Sequence, residues 1–415
     1  MPRELRHLKT LEDARRILRD ALPDRVREGR FGVHAVKIAE AVGLVLDQTL
    51  SCPEDLPPFD RSVMDGYAVR AQDTFGASEG LPAYLKVVGE VRMGEVPDFP
   101  LSHQQCAAIP TGGMLPEGAD AVVIVEHTQP WGKDSIEVLR PVAPGENTVR
   151  RGDDVRTGHE ILPAGHRLRP QDISALAGLG IESIRVRRPR VAVLSTGSEL
   201  VPHTRGPAPG QIRDMNGPAL RAAVRALEAQ PVDLGLLPDD EEAIREALRR
   251  ALDTADVVLV SGGTSVGVED VLHEIINSLG EPGVLVHGLA VRPGKPVVIG
   301  LVGEIPIFGL PGNPTSCLVV FRELVAPLLR LANYPADARP TTVRARLSRN
   351  YPSQAGREDL VAVRLEHSED GWSATPLLTP SALISTLLRA DGLVRIPPEA
   401  EGLYTGHEVE VEPFA

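Results

Sequence analysis

The strongest hydrophobic pattern lies in residues 188–331, where short apolar runs alternate with longer segments of helical periodicity. The apolar runs do not alternate with polar residues, which is typical of strands buried on both faces of a sheet. They read "RVAVLSTG", "VDLGLL", "VVLVSGG" and "IPIFGL", and a segment with helical spacing of its apolar residues follows each of them. This alternation predicts a central doubly wound, mostly parallel α/β domain.

Residues 1–50 and 150–187 are expected to pack together as one domain built from two separate segments. In the first segment, residues 8–22 predict an amphipathic helix with Thr10 as its N-cap. Residues 34–46 predict a helix followed by a strand. The second segment contains two turn-rich strands and a short helix.

Two further parts of the chain predict β structure. Residues 51–149 contain many short apolar runs separated by Pro, Gly and Asp, which indicates a β-rich domain. Residues 332–415 again show short strands and turns, as in a small all-β domain. A chain of 415 residues is longer than one ordinary core supports, so a multidomain protein is expected.

Composition narrows the class of protein. The chain has no long apolar span and no apolar segment near its first residues, so we expect a cytoplasmic protein without a signal peptide. Cys52, Cys106 and Cys317 are far apart and lack CxxC spacing, which predicts reduced thiols and no cysteine-based zinc site. The net charge of −13 argues against nucleic acid or membrane as partners, because both require basic surfaces.

The loop within "VVLVSGGTSVGVEDVLHEI" has the features of an anion site. A strand, a glycine-rich loop and a helix N-terminus direct free N–H groups and the positive end of the helix dipole at a ligand. The alternative is a tight strand-to-helix turn that binds nothing, and the motif is neither a Walker A nor a GxGxxG sequence. The candidate ligand-binding residues of this loop are Ser261, Gly262, Gly263, Thr264, Ser265 and Gly267.

Several carboxylates follow the predicted parallel strands. Since the carboxyl ends of such strands meet at one edge of the sheet, these side chains are expected to lie close together. Clustered carboxylates beside an anion repel it and one another unless a cation such as Mg²⁺ binds there. The alternative is that the acids only begin helices, where they favour the dipole. The acidic residues at this edge are Glu199, Asp239, Asp240, Glu269 and Asp270.

Two turns offer further anion contacts. "VRPGKPV" places Arg292 and Lys295 between two strands, either as an anion clamp or as a solvated hairpin tip. "GLPGNPTS" opens a helix, either as an oxyanion site or as an ordinary N-cap region. The candidate residues of the second turn are Pro311, Gly312, Asn313, Pro314 and Ser316.

The segment "PPFDRSVMDGYAVR" carries Asp65 in a turn-rich stretch just before a strand, as a possible carboxylate ligand. Thr111 in "IPTGG" is a hydroxyl on a glycine turn, which is more often structural than functional. The histidines show neither HxxxH nor HExxH spacing, and GxSxG is absent. The sequence therefore supports neither a histidine-based metal site nor covalent catalysis.

Taken together and in order, these segments resemble the MoeA family of molybdopterin molybdenumtransferases, whose animal and plant relatives include the E domain of gephyrin. The segments are "PPFDRSVMDGYAV", "IPTGGMLPEGADAVV", "RRGDDV", "STGSEL", "SGGTSVGVED", "RPGKP" and "GLPGNPTS". The resemblance implies four domains: an elongated two-segment domain, a β-rich domain, a MogA-like α/β domain and a C-terminal β-barrel. It also implies a homodimer with the active site near the subunit interface.

The implied activity is a step of molybdenum cofactor biosynthesis. Such an enzyme inserts molybdenum from molybdate into the dithiolene of adenylated molybdopterin, with Mg²⁺-assisted release of AMP. Molybdopterin adenylyltransferase and molybdoenzyme maturation proteins are implied partners.

The resemblance also assigns roles to matching positions of this chain. Glu199, Asp240 and Asp270 are implied Mg²⁺ ligands, and a partner subunit is expected to supply Asp65 and Asp154. Lys295, Ser316, Arg357 and Ser381 match the molybdate pocket. The full set of implied catalytic positions is Asp65, Thr111, Asp154, Glu199, Asp240, Asp270 and Lys295.

Three other functions are weighed against this one. A molybdopterin adenylyltransferase and a CinA-like nucleotide hydrolase share the α/β domain, but they leave the other domains or the "MDGYA" segment unexplained. A scaffold that anchors receptors, like the gephyrin E domain, would need a receptor-specific feature that this sequence lacks. Consumption of ATP would favour the adenylyltransferase, and peptide binding without AMP release would favour the scaffold.

Overall fold

The computed structural model describes residues 8–262, 268–334, 341–369, 371–378 and 384–414, without the side chains of residues 268–270 and 387. No helix in these ranges is both long and apolar enough to cross a membrane. The chain forms two compact units. The first comprises Met1–Asp47, Arg167–Arg169 and Ser183–Ala415, and the second comprises Gln48–His166 and Pro170–Glu182.

The N-terminal helix begins where the sequence predicts it. Thr10 accepts a hydrogen bond from the Asp13 amide at 3.0 Å, which caps the helix, and the apolar residues of one helical face are buried. The first elements are α1 (Leu11–Ala21), α2 (Asp24–Arg27), β1 (Val33–Lys37) and β2 (Val45–Leu46).

The prediction of a helix followed by a strand at residues 34–46 is wrong. The chain instead forms strand β1, a short 3-10 turn over Ile38–Glu40 and strand β2. Strand β1 pairs along its whole length with Ser183–Arg187, which is distant in sequence. A long-range pairing of this kind overrides local propensity and is not visible in a local pattern.

The second unit is built on a six-stranded sheet, which confirms a β-rich region. Its order is β8-β5-β7-β6-β10-β9, and every neighbouring pair is antiparallel except β6–β7. Neighbouring residues of β5, Ala68 and Val69, belong to different buried clusters, so side chains cover both faces. The elements of this unit are β3 (Leu50–Ser51), β4 (Arg61–Ser62), β5 (Gly66–Val69), β6 (Ala83–Glu90), β7 (Gln105–Ile109), β8 (Ala121–Ile124), β9 (Thr128–Trp131), β10 (Ser135–Val138), β11 (Thr148–Val149), β12 (Glu160–Leu162) and α3 (Pro170–Gly178).

Beyond α3 the chain returns to the first unit through β13 (Ser183–Arg187), which pairs with both β1 and β2. The α/β domain follows. Its elements are β14 (Arg190–Thr196), β15 (Leu200–Val201), β16 (Ile212–Arg213), α4 (Asn216–Ala226), β17 (Gln230–Leu237), α5 (Glu241–Thr254), β18 (Val257–Ser261), α6 (Val268–Leu279), β19 (Pro282–His287), β20 (Val291–Arg292), β21 (Val298–Val302), β22 (Ile305–Leu310), α7 (Pro314–Val320) and α8 (Ala326–Asn333).

The sheet of this domain has the order β17-β14-β18-β22-β21-β19. Its first four strands are parallel, and β21 and β19 add antiparallel partners at one edge. Helices α5 and α6 cover one face, whereas α4, α7 and the N-terminal helix α1 cover the other. The doubly wound, mostly parallel fold is therefore confirmed, with a hairpin at the edge that makes the sheet mixed.

The C-terminal region contains a closed five-stranded barrel, which confirms the barrel that the resemblance implies. Its strands follow the order β25-β26-β23-β29-β27, and β27 pairs again with β25. Strand β20 lies outside the five barrel strands and pairs in parallel with β25. The remaining elements are β23 (Val343–Leu347), β24 (Tyr351–Pro352), β25 (Glu358–Ser368), β26 (Gly371–Pro376), α9 (Ile384–Arg389), β27 (Gly392–Ile396), β28 (Gly402–Leu403) and β29 (Glu408–Pro413).

The helix predicted after "GLPGNPTS" is interrupted by a π-helical segment, Phe321–Val325, between α7 and α8. This segment buries the side chain of Glu323, which is only 3% exposed. Glu323 accepts hydrogen bonds from Arg15 of α1 at 2.5 Å and from Arg395 of β27 at 2.8 Å. One buried carboxylate thus joins the N-terminal helix, the α/β domain and the barrel.

The three cysteines are free and buried. Burial raises the pKa of the Cys106 and Cys317 thiols to about 12. We therefore expect neither thiol to react with iodoacetamide at pH 8 in the folded protein, because almost no thiolate is present. Mass spectrometry should find both alkylated only after denaturation, and rapid labelling of either thiol in the folded protein would contradict its burial.

Candidate functional site

The carboxyl ends of three neighbouring strands meet at one edge of the α/β sheet. Ser195 of β14 lies directly opposite Ser261 of β18, and Ser261 lies opposite Leu310 of β22. The sequence predicted this convergence from the order of strands and helices. It brings the end of β18 beside the end of β22, which leads into α7.

Buried side chains at the beginning of α4 tie these strand ends together. Asn216 donates from Nδ2 to the Ser261 hydroxyl at 2.7 Å and to the Gly312 carbonyl at 2.9 Å. Asp214 accepts from the Ser195 hydroxyl at 3.1 Å and from the Gly217 amide at 3.0 Å. The hydroxyl of Ser261 is therefore engaged inside the protein.

Neither Asp214 nor Asn216 was predicted as a site residue from the sequence. The available signal was the segment "DMNG", since Asp and Asn just before an apolar helical repeat are typical of a helix start. That signal predicts a cap. It does not predict that the second side chain bridges two strand-end loops.

Gly262 continues β18 in a conformation with φ of +97°, which favours glycine. A Cβ at this position would lie 2.0 Å from the backbone oxygen of Thr196. The two strand ends therefore approach too closely for any side chain. The predicted contacts by Gly263, Thr264, Ser265 and Gly267 lie outside the described residues, as do Ser381 and the side chain of Asp270.

We expect the Gly262→Ala substitution to destabilise the first unit by about 1–3 kcal/mol, because it adds backbone strain and a steric clash. Urea denaturation would measure this loss. Gly210→Ala is the matched control: Gly210 also has a positive φ, of +84°, but no atom lies within 4 Å of its Cβ position. Equal losses in the two variants would show that the close approach at Gly262 contributes nothing.

The acidic residues at this edge have different surroundings. Asp240 caps α5 by accepting a hydrogen bond from the Ala243 amide at 2.8 Å, so one of its oxygens has the helix-start role. Asp239 accepts from the Ser198 amide at 3.3 Å, which links the ends of β17 and β14. Glu199 is exposed beside this link.

Hard carboxylate oxygens of this kind suit Mg²⁺. Within the described ranges, however, no group of three or more His, Cys, Asp or Glu residues is placed to hold a metal ion. Glu199 and Asp240 alone do not complete such a site, and the side chain of the third predicted ligand, Asp270, lies outside those ranges.

A second cluster of predicted residues lies at the turn after β20. Gly294 holds this turn against α7, because a Cβ there would lie 2.4 Å from a methyl group of Val320 and 3.9 Å from the Ser316 carbonyl oxygen. Arg292 and Lys295 are exposed on the turn, and no described residue forms an ion pair or side-chain hydrogen bond with them. Two unpaired cations beside a helix start are suited to an anion.

The beginning of α7 is arranged as an N-cap, and it also carries polar groups. Asn313 accepts a hydrogen bond from the Thr315 amide at 3.2 Å, Pro314 is the first helical residue, and Pro311 is buried before it. Ser316 is 7% exposed, and the buried hydroxyl of Thr315 has no hydrogen-bond partner among the described residues.

In the second unit, the structure brings Asp65 and Thr111 together. The Asp65 carboxylate accepts from the Thr111 amide at 2.7 Å and from the Thr111 hydroxyl at 2.9 Å. Both hydrogen bonds lower the pKa of Asp65 below its ordinary value, and the one from the Thr111 amide has the larger effect. Asp154 is exposed in the same unit, on the turn after "RRGD".

Models of known protein families match almost the whole chain. Residues 9–180 match the MoeA N-terminal region (domain I and II), residues 192–331 match a probable molybdopterin binding domain, and residues 344–414 match the MoeA C-terminal region (domain IV).

Individual relatives match almost the whole chain. A putative molybdopterin biosynthesis protein of Methanocaldococcus jannaschii is 33% identical over 98% of both chains. The molybdopterin molybdenumtransferase of Haemophilus influenzae is 32% identical, also over 98% of both. The crystal structure of a molybdopterin biosynthesis MoeA protein from Pyrococcus horikosii superposes with a TM-score of 0.74 at 38% identity, covering 99% of this chain and 100% of that one.

Proposed function

The chain belongs to the MoeA family, and from this premise we propose that it is a molybdopterin molybdenumtransferase of molybdenum cofactor biosynthesis. The proposed reaction inserts molybdenum from molybdate into the dithiolene of adenylated molybdopterin and releases AMP. The observation that carries the proposal is the full-length match to transferases of this name, with all three family regions in order. We further propose that the enzyme works in the cytoplasm as a homodimer, beside an adenylyltransferase and maturation proteins of molybdoenzymes.

The strand ends of the α/β domain are proposed to bind the pyrophosphate-linked substrate. Gly262 lets the end of β18 approach Thr196 at the end of β14 closely, and main-chain N–H groups at this edge of the sheet are proposed to bind a phosphate. Asn216 holds Ser261 and Gly312 in fixed positions through its two hydrogen bonds. The ligand would therefore meet a preorganised surface.

The turn after β20 is proposed to bind molybdate. Arg292 and Lys295 have no described partner, so their charges remain available for a dianion. The nearly buried Ser316 hydroxyl lies in the helix against which this turn packs. Arg357 of the barrel and Ser381 are proposed to complete the pocket.

Release of AMP requires charge neutralisation at the bridging oxygen of the pyrophosphate. Glu199, Asp240 and Asp270 are the residues proposed to hold Mg²⁺, which supplies that neutralisation when it is bound. Asp65, kept ionised by Thr111, is proposed to accept a proton from the attacking water. We propose that the partner subunit of the homodimer supplies Asp65 and Asp154.

The test is to mix the purified protein with adenylated molybdopterin, molybdate and Mg²⁺, and to follow AMP and pterin-bound molybdenum together. Molybdate-dependent AMP release with metallated product is the expected result. Tight ligand binding without AMP release would contradict the proposed reaction. Transfer of AMP from ATP to molybdopterin would identify an adenylyltransferase instead.

A further inference from the structure

The barrel places a buried carboxylate next to two arginines of the proposed oxyanion site. Asp359 of β25 is 1% exposed and lies opposite Arg292 in the parallel pairing of β20 with β25. Its Oδ1 atom accepts a hydrogen bond from Nε of Arg357 at 2.9 Å. The carboxylate thus contacts one candidate pocket arginine and is the strand neighbour of the other.

Burying this carboxylate lowers the free energy of unfolding. Removing a charged group from water is unfavourable unless it is paired and fully hydrogen-bonded. Oδ2 of Asp359 is buried, and no described residue hydrogen-bonds with it. The buried core cluster of the barrel is aliphatic and includes Val361 and Val363 of β25, whereas Asp359 on the same strand is a buried acid.

The hydrogen bond to Asp359 determines which edge of Arg357 faces outward. A guanidinium carries five N–H donors in a rigid plane, and a bond at Nε fixes the orientation of that plane. The side chain of Arg357 is 31% exposed, and no described residue accepts a hydrogen bond from its Nη atoms. The two Nη groups therefore remain for a tetrahedral oxyanion, which a guanidinium binds best with two parallel N–H groups.

The phenol of Tyr351, on β24, responds to the charges of the same three residues. Burial is the main cause that raises the pKa of this phenol; the positive charge of Arg292 lowers it, the negative charge of Asp359 raises it and the positive charge of Arg357 lowers it. The phenol is therefore neutral and lies within electrostatic range of all three residues.

We propose that Asp359 is a positioning residue, which holds Arg357 in the orientation whose Nη atoms bind a tetrahedral oxyanion of the molybdate type. This inference rests on the proposed function of the pocket. It predicts different effects on oxyanion binding for two kinds of substitution at Asp359. Removing the negative charge while keeping the acceptor preserves oxyanion binding, whereas removing the acceptor weakens it.

The test uses the full-length protein and sodium molybdate, titrated by isothermal titration calorimetry. The matched pair is Asp359→Asn and Asp359→Leu, because Asn and Leu have similar size and only Asn can accept the Nε hydrogen bond. We expect the Asn variant to bind molybdate at least as tightly as the wild type. We expect the Leu variant to bind about tenfold more weakly, since a hydrogen bond to a charged group is lost.

Two further variants separate positioning from a general effect on the barrel. Arg357→Ala should itself weaken binding at least about tenfold. The double variant Asp359→Leu/Arg357→Ala should then bind no more weakly than Arg357→Ala, because Asp359 has no guanidinium left to orient. Asp359→Ala is the second choice should the Leu variant fail to fold, and thermal unfolding of each variant reports the fold independently.

Losses that add in the double variant would overturn the positioning role, as would an Asn variant as weak as the Leu variant. A wild-type protein that does not bind molybdate would overturn the pocket itself, and the inference with it. The two failures are distinct, because the first leaves wild-type binding intact.

Discussion

We expect the Asp65→Asn variant to release AMP at least about a hundredfold more slowly than the wild type, with its fold unchanged. The amide has the shape of the carboxylate but cannot take up a proton. Asp65 is exposed and the hydrogen bonds to its carboxylate come from one residue, Thr111, so little stability depends on this side chain. The measurement is molybdate-dependent AMP release under saturating adenylated molybdopterin.

Asp98→Asn is the matched control, because Asp98 is an exposed acid of the same unit with no described partner. A rate close to that of the wild type is expected for it. Unchanged AMP release by the Asp65→Asn variant would remove Asp65 from the reaction.

The Thr111→Val variant tests the role of Asp65 through the pH dependence of AMP release. The Thr111 hydroxyl is one of two hydrogen bonds that lower the pKa of Asp65, and the larger backbone contribution remains in the variant. A carboxyl with a lowered pKa stays ionised to lower pH, so loss of the hydroxyl should raise that pKa. The acidic limb of the pH–rate profile should therefore move to higher pH, and an unmoved limb would contradict the role of this pair.

The second large effect is expected at Glu323. Replacing it by Ala should destabilise the first unit by about 3 kcal/mol, the lower end of the range for breaking a buried ion pair. The lower end applies because Arg15 and Arg395 are partly exposed, at 37% and 33%, and because Arg395 keeps Glu358 as a partner at 2.5 Å. The loss arises from positive charges left partly buried without their carboxylate.

Urea denaturation followed by Trp372 fluorescence measures this loss in the barrel. The chain has two tryptophans, so a Trp131→Phe background removes the signal of the second unit. Glu366→Ala is the control, because its pair with Arg364 is exposed on both sides, at 58% and 60%, and should contribute less than about 1 kcal/mol. Equal unfolding midpoints for the two variants would show that Glu323 does not join the barrel to its neighbours.

Local periodicity made several elements predictable. The helix at α1, its Thr10 cap and the strands and helices of the α/β domain follow from residue spacing, because burial of one face requires that spacing. The convergence of strand ends followed from topology alone. The ordered motifs likewise pointed to the family before any fold was known.

Other features depend on which distant segments meet. Residues 34–46 form strands because β1 pairs with β13, and the helix after Asn313 contains a π-helical segment that places Glu323 between two arginines. The sequence placed Asp240 at the edge of the sheet and offered a helix-start role as the alternative, and the structure shows that one of its oxygens accepts the capping hydrogen bond from the Ala243 amide.

The sequence by itself determined the alternating strands and helices of the α/β domain, the fold class and the residue types available for chemistry. Only the tertiary structure decided which of those residues meet. Asp65 and Thr111 are 46 positions apart, and Arg15 and Glu323 are 308 positions apart, yet each pair is in hydrogen-bond contact. The physical reason is that periodicity records which face of an element is buried, whereas the partner of a polar side chain is fixed by the packing of the whole chain.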